Sequence, residues 1–185
     1  MLPNESQLIA QVQSGQTAMF GVLYDHYIEP IYRFVYGKTH HRQTAEDLTS
    51  AIFIKAMEGV KSYKPSKGTF TAWLYRVARN TIIDHYRRQK LTLPIEDAFD
   101  LPAKENTAQS SEERLFREQL DVWMIGLTAH ERDVVTLRIW QGLHHRDIAA
   151  IIDTNEVNCK KIYSRAIAKM RKNYQKIPSQ HAYVS

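Results

Sequence analysis

One cysteine, Cys159, leaves no partner for an internal disulfide and fits a reducing compartment. Glycine and proline are scarce, 7 and 6 in 185 residues, which argues against disorder and against a turn-rich all-β fold. No apolar run approaches the ~18 residues of a membrane span. The opening MLPNESQLIAQ lacks the basic start and apolar core of a signal peptide. A cytoplasmic protein with no membrane insertion is therefore expected. There is no HExxH, no CxxC, no Gly-rich phosphate loop and no nucleophile elbow. Two histidine pairs, His40 with His41 and His144 with His145, are chain neighbours, which is the wrong spacing for sharing one metal ion. No catalytic residue, metal or cofactor is expected, and the chain does not read as an enzyme.

What is present is helical. The composition is 43% hydrophobic and rich in helix formers, with no long β-branched alternation, so the reading is all-α. Phe20, Leu23, Tyr24, Tyr27, Ile31, Phe34 and Val35 predict an amphipathic helix over about 17–38. TAED at 44–47 reads as a capping box opening a helix through Leu48, Ile52, Phe53 and Ala56. Gly59 and YKPSKG at 63–68 end it. TFTAWLYRVARNTIIDHYRR at 69–88 predicts one helix, or two end to end. SSEE at 110–113 and TAHE at 128–131 are further capping boxes, the first leading through Leu115, Leu120, Trp123 and Met124, the second through Val134, Val135, Leu137 and Ile139. Gly142 suits a helix stop. A short helix over Ile148, Ala149, Ile151 and Ile152, a turn at 153–155 and a last helix over about 156–174 follow. The expected layout is a domain at 1–90, a flexible acidic linker at 91–110, a second domain at 111–176 and a tail at 177–185.

Charge sharpens this layout. The net charge of +5 alone says little, but it is divided into blocks: +3 over 69–88, −5 over 91–113 and +5 over 155–172. LHHRDIAAIIDTNEVNCKKIYSRAIAKMRK at 143–172 is a short helix, a three-residue turn and a helix loaded with Lys and Arg, the layout of a helix-turn-helix. Val157, Ile162 and Ala166 are expected to pack inward, leaving Asn158, Lys160, Lys161, Ser164 and Arg165 polar and able to meet phosphates and base edges. A helical hairpin with a solvated basic face fits the same spacing. In 69–88, Leu74, Val77, Ala78, Thr81 and Ile82 form an apolar face, with Trp73, Arg76, Asn80 and Arg87 on another. Rings beside cations suit single-stranded nucleic acid, where bases stack and phosphates pair. Taken alone, that stretch fits core rings and solvated arginines better, and core packing is expected for Tyr75 and Tyr86.

AEDLTSAIF at 45–53, GTFTAWLYRVARNTIIDHYRR at 68–88 and LTAHERDVVTLRIWQGLHHRDIAAIIDTNEVNCKKIYSRA at 127–166 resemble, in order and spacing, bacterial RNA polymerase sigma factors of the extracytoplasmic-function type. The resemblance implies two helical domains that bind core RNA polymerase and promoter DNA. It implies a polymerase contact at Asp47, Leu48, Ser50 and Phe53. It implies minus-10 recognition and strand melting by Phe70, Trp73, Arg76, Asn80, Asp84, Arg87 and Arg88, with a helix break near Asn80 able to hold a flipped base. It implies a minus-35 reader at Asn155, Glu156, Asn158, Lys160, Lys161, Ser164 and Arg165, and an anti-sigma protein that masks these faces. The chain departs from the family pattern at Ser50 and Ala51, where Gln and an acid are usual, and at Ile162, where Arg is common. His144 replaces the usual Ser or Thr cap. Cys159, in place of a small apolar residue, is expected to be buried packing.

Two other readings use the same residues. One is a stand-alone helix-turn-helix regulator that binds duplex DNA as a dimer. The other is a helical adaptor with no DNA role. An aromatic and basic surface at 69–88 separates the sigma-factor reading from the stand-alone regulator.

Overall fold

The computed structural model describes residues 2–90 and 122–175. The chain divides into two compact units, Met1–Asn106 and Thr107–Ser185. No strand occurs among the described residues. The acidic linker, the tail and most of the helix expected after residue 110 lie outside them; residues 122–124, its expected end, are helical.

The first unit is built on α1 (Glu5–Gln13), α2 (Phe20–Thr39), α3 (Arg42–Gly59) and α4 (Phe70–Lys90). On α2 the buried side chains Phe20, Leu23, Tyr27, Ile31, Phe34 and Val35 recur every three or four residues, one stripe of a 3.6-residue helix. The helix runs through Pro30, whose missing N–H costs one backbone bond. Burial of Tyr27, Ile31 and Phe34 on either side offsets that loss. On α3, Ala45, Leu48, Ile52, Phe53 and Ala56 face inward, and on α4 so do Leu74, Tyr75, Ala78 and Ile82. The Phe34 and Tyr75 rings meet edge to face at 5.3 Å, an arrangement favoured by the ring quadrupoles.

Two features of this unit differ from the sequence expectation. Helix α1 was not anticipated, because it buries only Ile9 and Val12 and starts without a side-chain cap. It is held by Gln13, whose Nε2 donates to the carbonyls of Val60 and Tyr63, both at 2.9 Å. The start of α3 is also earlier than expected. Thr44 is not the N-cap; His41 is, with Nδ1 accepting from the Thr44 N–H at 3.1 Å and lying 2.8 Å from the Thr44 hydroxyl. An accepting Nδ1 requires the neutral ring with its hydrogen on Nε2.

The second unit contains α5 (Ala129–Val135), α6 (His145–Ile151) and α7 (Glu156–Gln175). The capping box at Thr128 forms: the Thr128 hydroxyl accepts from the Glu131 N–H, and the Glu131 carboxylate accepts from the Thr128 N–H at 2.8 Å. Burial pushes the Glu131 carboxyl up, but the Lys169 ammonium at 2.8 Å and the Thr128 N–H outweigh it and hold its pKa below the usual range. A pKa depressed on folding contributes stability above the unfolded value, lost as pH falls through the folded one. Past α5 the chain continues as one wide π turn, Thr136–Trp140, and Gly142 at φ 65° reverses it. Leu127, Val135 and Ala166, with Met124, Tyr163, Ile167 and Met170 around them, form part of the core.

Candidate nucleic-acid interface

Helix α4 carries the residues expected at the minus-10 element. It is continuous through Asn80, so the break expected there is absent. The reason is local: residues 77–84 contain neither Gly nor Pro, and the buried series Leu74, Ala78, Ile82 keeps its register across the position. Lys55 Nζ donates to the Thr81 hydroxyl at 3.2 Å, and the Tyr86 hydroxyl donates to the Lys38 carbonyl at 2.9 Å, tying the middle and far end of α4 to the unit.

Seven residues were expected to meet DNA on this helix; the structure separates them. Phe70 is a core residue, only 1% exposed. Its ring lies 5.7 Å from Tyr27, 5.5 Å from Tyr63 and 5.3 Å from Trp73. It has no surface left for a base, and its place in the expected set is corrected. Trp73 is half-buried, tilted 33° over Phe70, with Cζ2 so close to Gly59 that a Cβ there would sit 3.3 Å away. Arg76, Asn80, Arg87 and Arg88 are exposed and Asp84 is half-buried. Positions 73, 76, 80, 84 and 87 fall on one face of the helix and span about 21 Å along it, at ~1.5 Å per residue. Asp84 and Arg87 pair at 3.3 Å, an exposed contact of little energetic weight. Tyr75 and Tyr86 pack inward.

The second surface is α7. Asp153 adopts φ 60°, Thr154 N–H donates to the Ala149 carbonyl at 2.9 Å, and α7 then begins with Asn155 Oδ1 accepting from the Asn158 N–H at 2.8 Å. Asn155, Glu156, Asn158, Lys160, Lys161, Ser164 and Arg165 are all exposed. Four of them already hold local partners. Asn155 caps the helix, Asn158 Nδ2 donates to the Thr154 hydroxyl at 2.9 Å, and Glu156 pairs with Lys160 at 2.6 Å. The hydrogen bond to Lys160 holds the Glu156 carboxyl below its usual range. Lys161, Ser164 and Arg165 project from the same outer face. As the sequence implies, His144 gives α6 no side-chain cap.

Cys159 is fully buried, and burial pushes its thiol up to about 11, so it is packing and not a reactive thiolate. Val157 corrects the expectation of an inward residue: it is 65% exposed. A helix advances about 100° per residue, so two positions separated by two cannot share a face. With Cys159 inside, Val157 has to point out, and that signal was already in the spacing.

The residues expected to touch polymerase divide in the same way. Asp47 and Ser50 are exposed on α3, whereas Leu48 and Phe53 are buried, with Phe53 edge to face against Tyr24 at 4.8 Å. Leu48 and Phe53 hold α3 in the core. The surface beside Asp47 and Ser50 is continued by Ile54 and Met57, 61% and 49% exposed, which the sequence reading missed. Their offsets from Asp47, seven and ten residues, put them on its face and could have identified them. Among the described residues no cluster of metal-ligating side chains occurs, and no helix is long and apolar enough to cross a membrane.

Comparison with known proteins matches both units. The profile of Sigma-70 region 2 matches residues 23–92, and that of Sigma-70, region 4 matches residues 117–170. The chain is 30% identical over 155 residues to the ECF RNA polymerase sigma factor SigM of Bacillus subtilis, covering 83% of this chain and 94% of that one. It is 30% identical over 165 residues to the ECF RNA polymerase sigma factor BldN of Streptomyces coelicolor, covering 87% of this chain and 62% of that longer relative. Its fold is similar to that of the sigma factor RpoE from Bartonella quintana, solved in complex with the anti-sigma factor NepR: the TM-score is 0.69 at 20% identity, over 86% of this chain and 98% of that one.

Proposed function

Because the chain belongs to the extracytoplasmic-function sigma factors of the sigma-70 family, we propose that its exposed α4 ridge and α7 face are the two surfaces by which it reads a promoter. As a sigma factor it works with core RNA polymerase, recognises promoter elements and initiates transcription. On this reading α7 enters the major groove at the minus-35 element. Lys160, Lys161, Ser164 and Arg165 make the phosphate and base-edge contacts, while Asn155 fixes the start of the helix. Helix α4 meets the minus-10 element. Trp73 offers a partly exposed ring to an unstacked base, Asn80 offers hydrogen bonds, and Arg76, Arg87 and Arg88 neutralise phosphates. Phe70 acts from beneath, by supporting Trp73.

The observation that carries this reading is the α4 ridge: a ring and cations aligned on one face, in a chain that also carries a helix-turn-helix. A regulator that binds only duplex DNA has no use for a stacking platform. The stripe of Asp47, Ser50, Ile54 and Met57 on α3 is the surface for core polymerase. The protein works in the cytoplasm without catalysis or a cofactor of its own, and an anti-sigma protein that covers α3 or α7 keeps part of it inactive.

The test is promoter selection. Holoenzyme assembled from this protein and core polymerase is expected to enrich two sequence blocks from a randomised library. Lys160→Ala and Arg165→Ala should each weaken binding at the upstream block by about 1–3 kcal/mol and leave the downstream block unchanged. Enrichment of one palindromic duplex site by the protein without polymerase would support the stand-alone regulator instead.

A further inference from the structure

Val157 is the most exposed large apolar side chain among the described residues, at 65%. A single exposed apolar residue is ordinary on a protein surface. What sets this one apart is its place. It is the second residue of α7, two positions past the Asn155 cap. In a helix-turn-helix the first turn of the second helix is the part that reaches base edges. Lys161 lies four residues on and Ser164 seven, so both share its face, with Lys160 and Arg165 to either side. Over residues 157–165 that outward stripe is polar except for Val157. Its Cβ is branched, so χ1 is already restricted and docking costs little side-chain entropy.

A valine side chain neither donates nor accepts a hydrogen bond, so it cannot read the polar edge of any base. The major groove presents one apolar feature, the C5-methyl of thymine. We infer that Val157 is a specificity-determining residue that packs against a thymine methyl group in the minus-35 element. The inference rests on the assignment of α7 as the minus-35 reader.

Deleting the methyl tests it. Holoenzyme containing the full chain is measured on a promoter duplex selected from a library randomised across the upstream element, with each upstream thymine replaced singly by deoxyuridine, which lacks only that methyl. Wild-type holoenzyme is expected to bind about fourfold more weakly when one particular thymine is replaced, the scale of one buried carbon. Val157→Ala should bind the thymine probe about fourfold more weakly and lose nothing further on that deoxyuridine probe. Val157→Thr, which keeps a methyl in place, should retain the preference. Equal binding of wild type to every deoxyuridine probe, or a Val157→Ala loss that is the same with and without each methyl, overturns the inference. Lys160→Ala and Arg165→Ala on the same probes separate the two levels. If they weaken binding while methyl deletion does not, only the thymine contact fails. If they too are without effect, the assignment of α7 fails and takes the thymine contact with it.

Discussion

Phe70→Ala is expected to destabilise the first unit by about 3–5 kcal/mol, the usual cost of truncating a buried phenylalanine to alanine. The ring is 1% exposed and is enclosed by Tyr27, Tyr63 and Trp73 at 5.3–5.7 Å. Its removal leaves a void bordered by rigid rings, which close poorly over it, and it forfeits the edge-to-face contact with Tyr63. Trp73 loses its support at the same time, so strand opening should fall with stability. Hydrogen exchange of the α2, α3 and α4 amides in the full chain reads the effect within that unit alone. The contrast with Trp73→Ala is informative: its ring is half-buried, so the stability loss should be smaller while the defect on promoter DNA is comparable. A Phe70→Ala protein with native exchange rates, impaired only in strand opening, would return Phe70 to the DNA-contacting set.

Ile54→Asp combined with Met57→Asp is expected to weaken assembly with core polymerase at least thirtyfold. Truncating a residue at the centre of an interface costs about 2 kcal/mol or more, and a carboxylate buried there without a partner adds to that. Both side chains are largely exposed in the free chain, so thermal stability should stay near that of the wild type. Leu48→Ala should do the reverse, because Leu48 is buried: stability falls, and polymerase affinity falls only as far as folding does. Titration of labelled core polymerase, with thermal melts run in parallel, separates the two. Unchanged assembly by the double variant would move the polymerase contact off this face of α3.

Much of the fold was legible because α2, α3 and α4 each bury one stripe at helical spacing, and because TAHE and Gly142 mark the ends of an element by backbone chemistry. The departures have specific causes. His41 captures the Thr44 N–H, a cap that an imidazole supplies only when its ring is neutral and turned inward, which spacing does not reveal. Helix α1 depends on two buried residues and on Gln13 reaching backbone carbonyls nearly fifty residues away, a long-range bond with no local trace. The continuity of α4 at Asn80 follows from an unbroken apolar register that outweighs a family habit of breaking there. At the site, residue types were readable and facing was less so. Phe70, Leu48 and Phe53 stand beside exposed positions proposed to meet DNA or polymerase, and are themselves buried in the core. Ile54, Met57 and Val157 are apolar yet outward; residue type alone assigns such residues to the interior, and only their spacing from buried neighbours turns them out.

The most direct measurement is run-off transcription by core polymerase with and without this protein, on a selected promoter presented either as a full duplex or with the minus-10 region already unpaired. The expected result is initiation that depends on the protein. Trp73→Ala and Asn80→Ala should be impaired on the duplex and largely restored on the pre-melted template. Absence of initiation with core polymerase, together with tight polymerase-independent binding to duplex DNA, would contradict it.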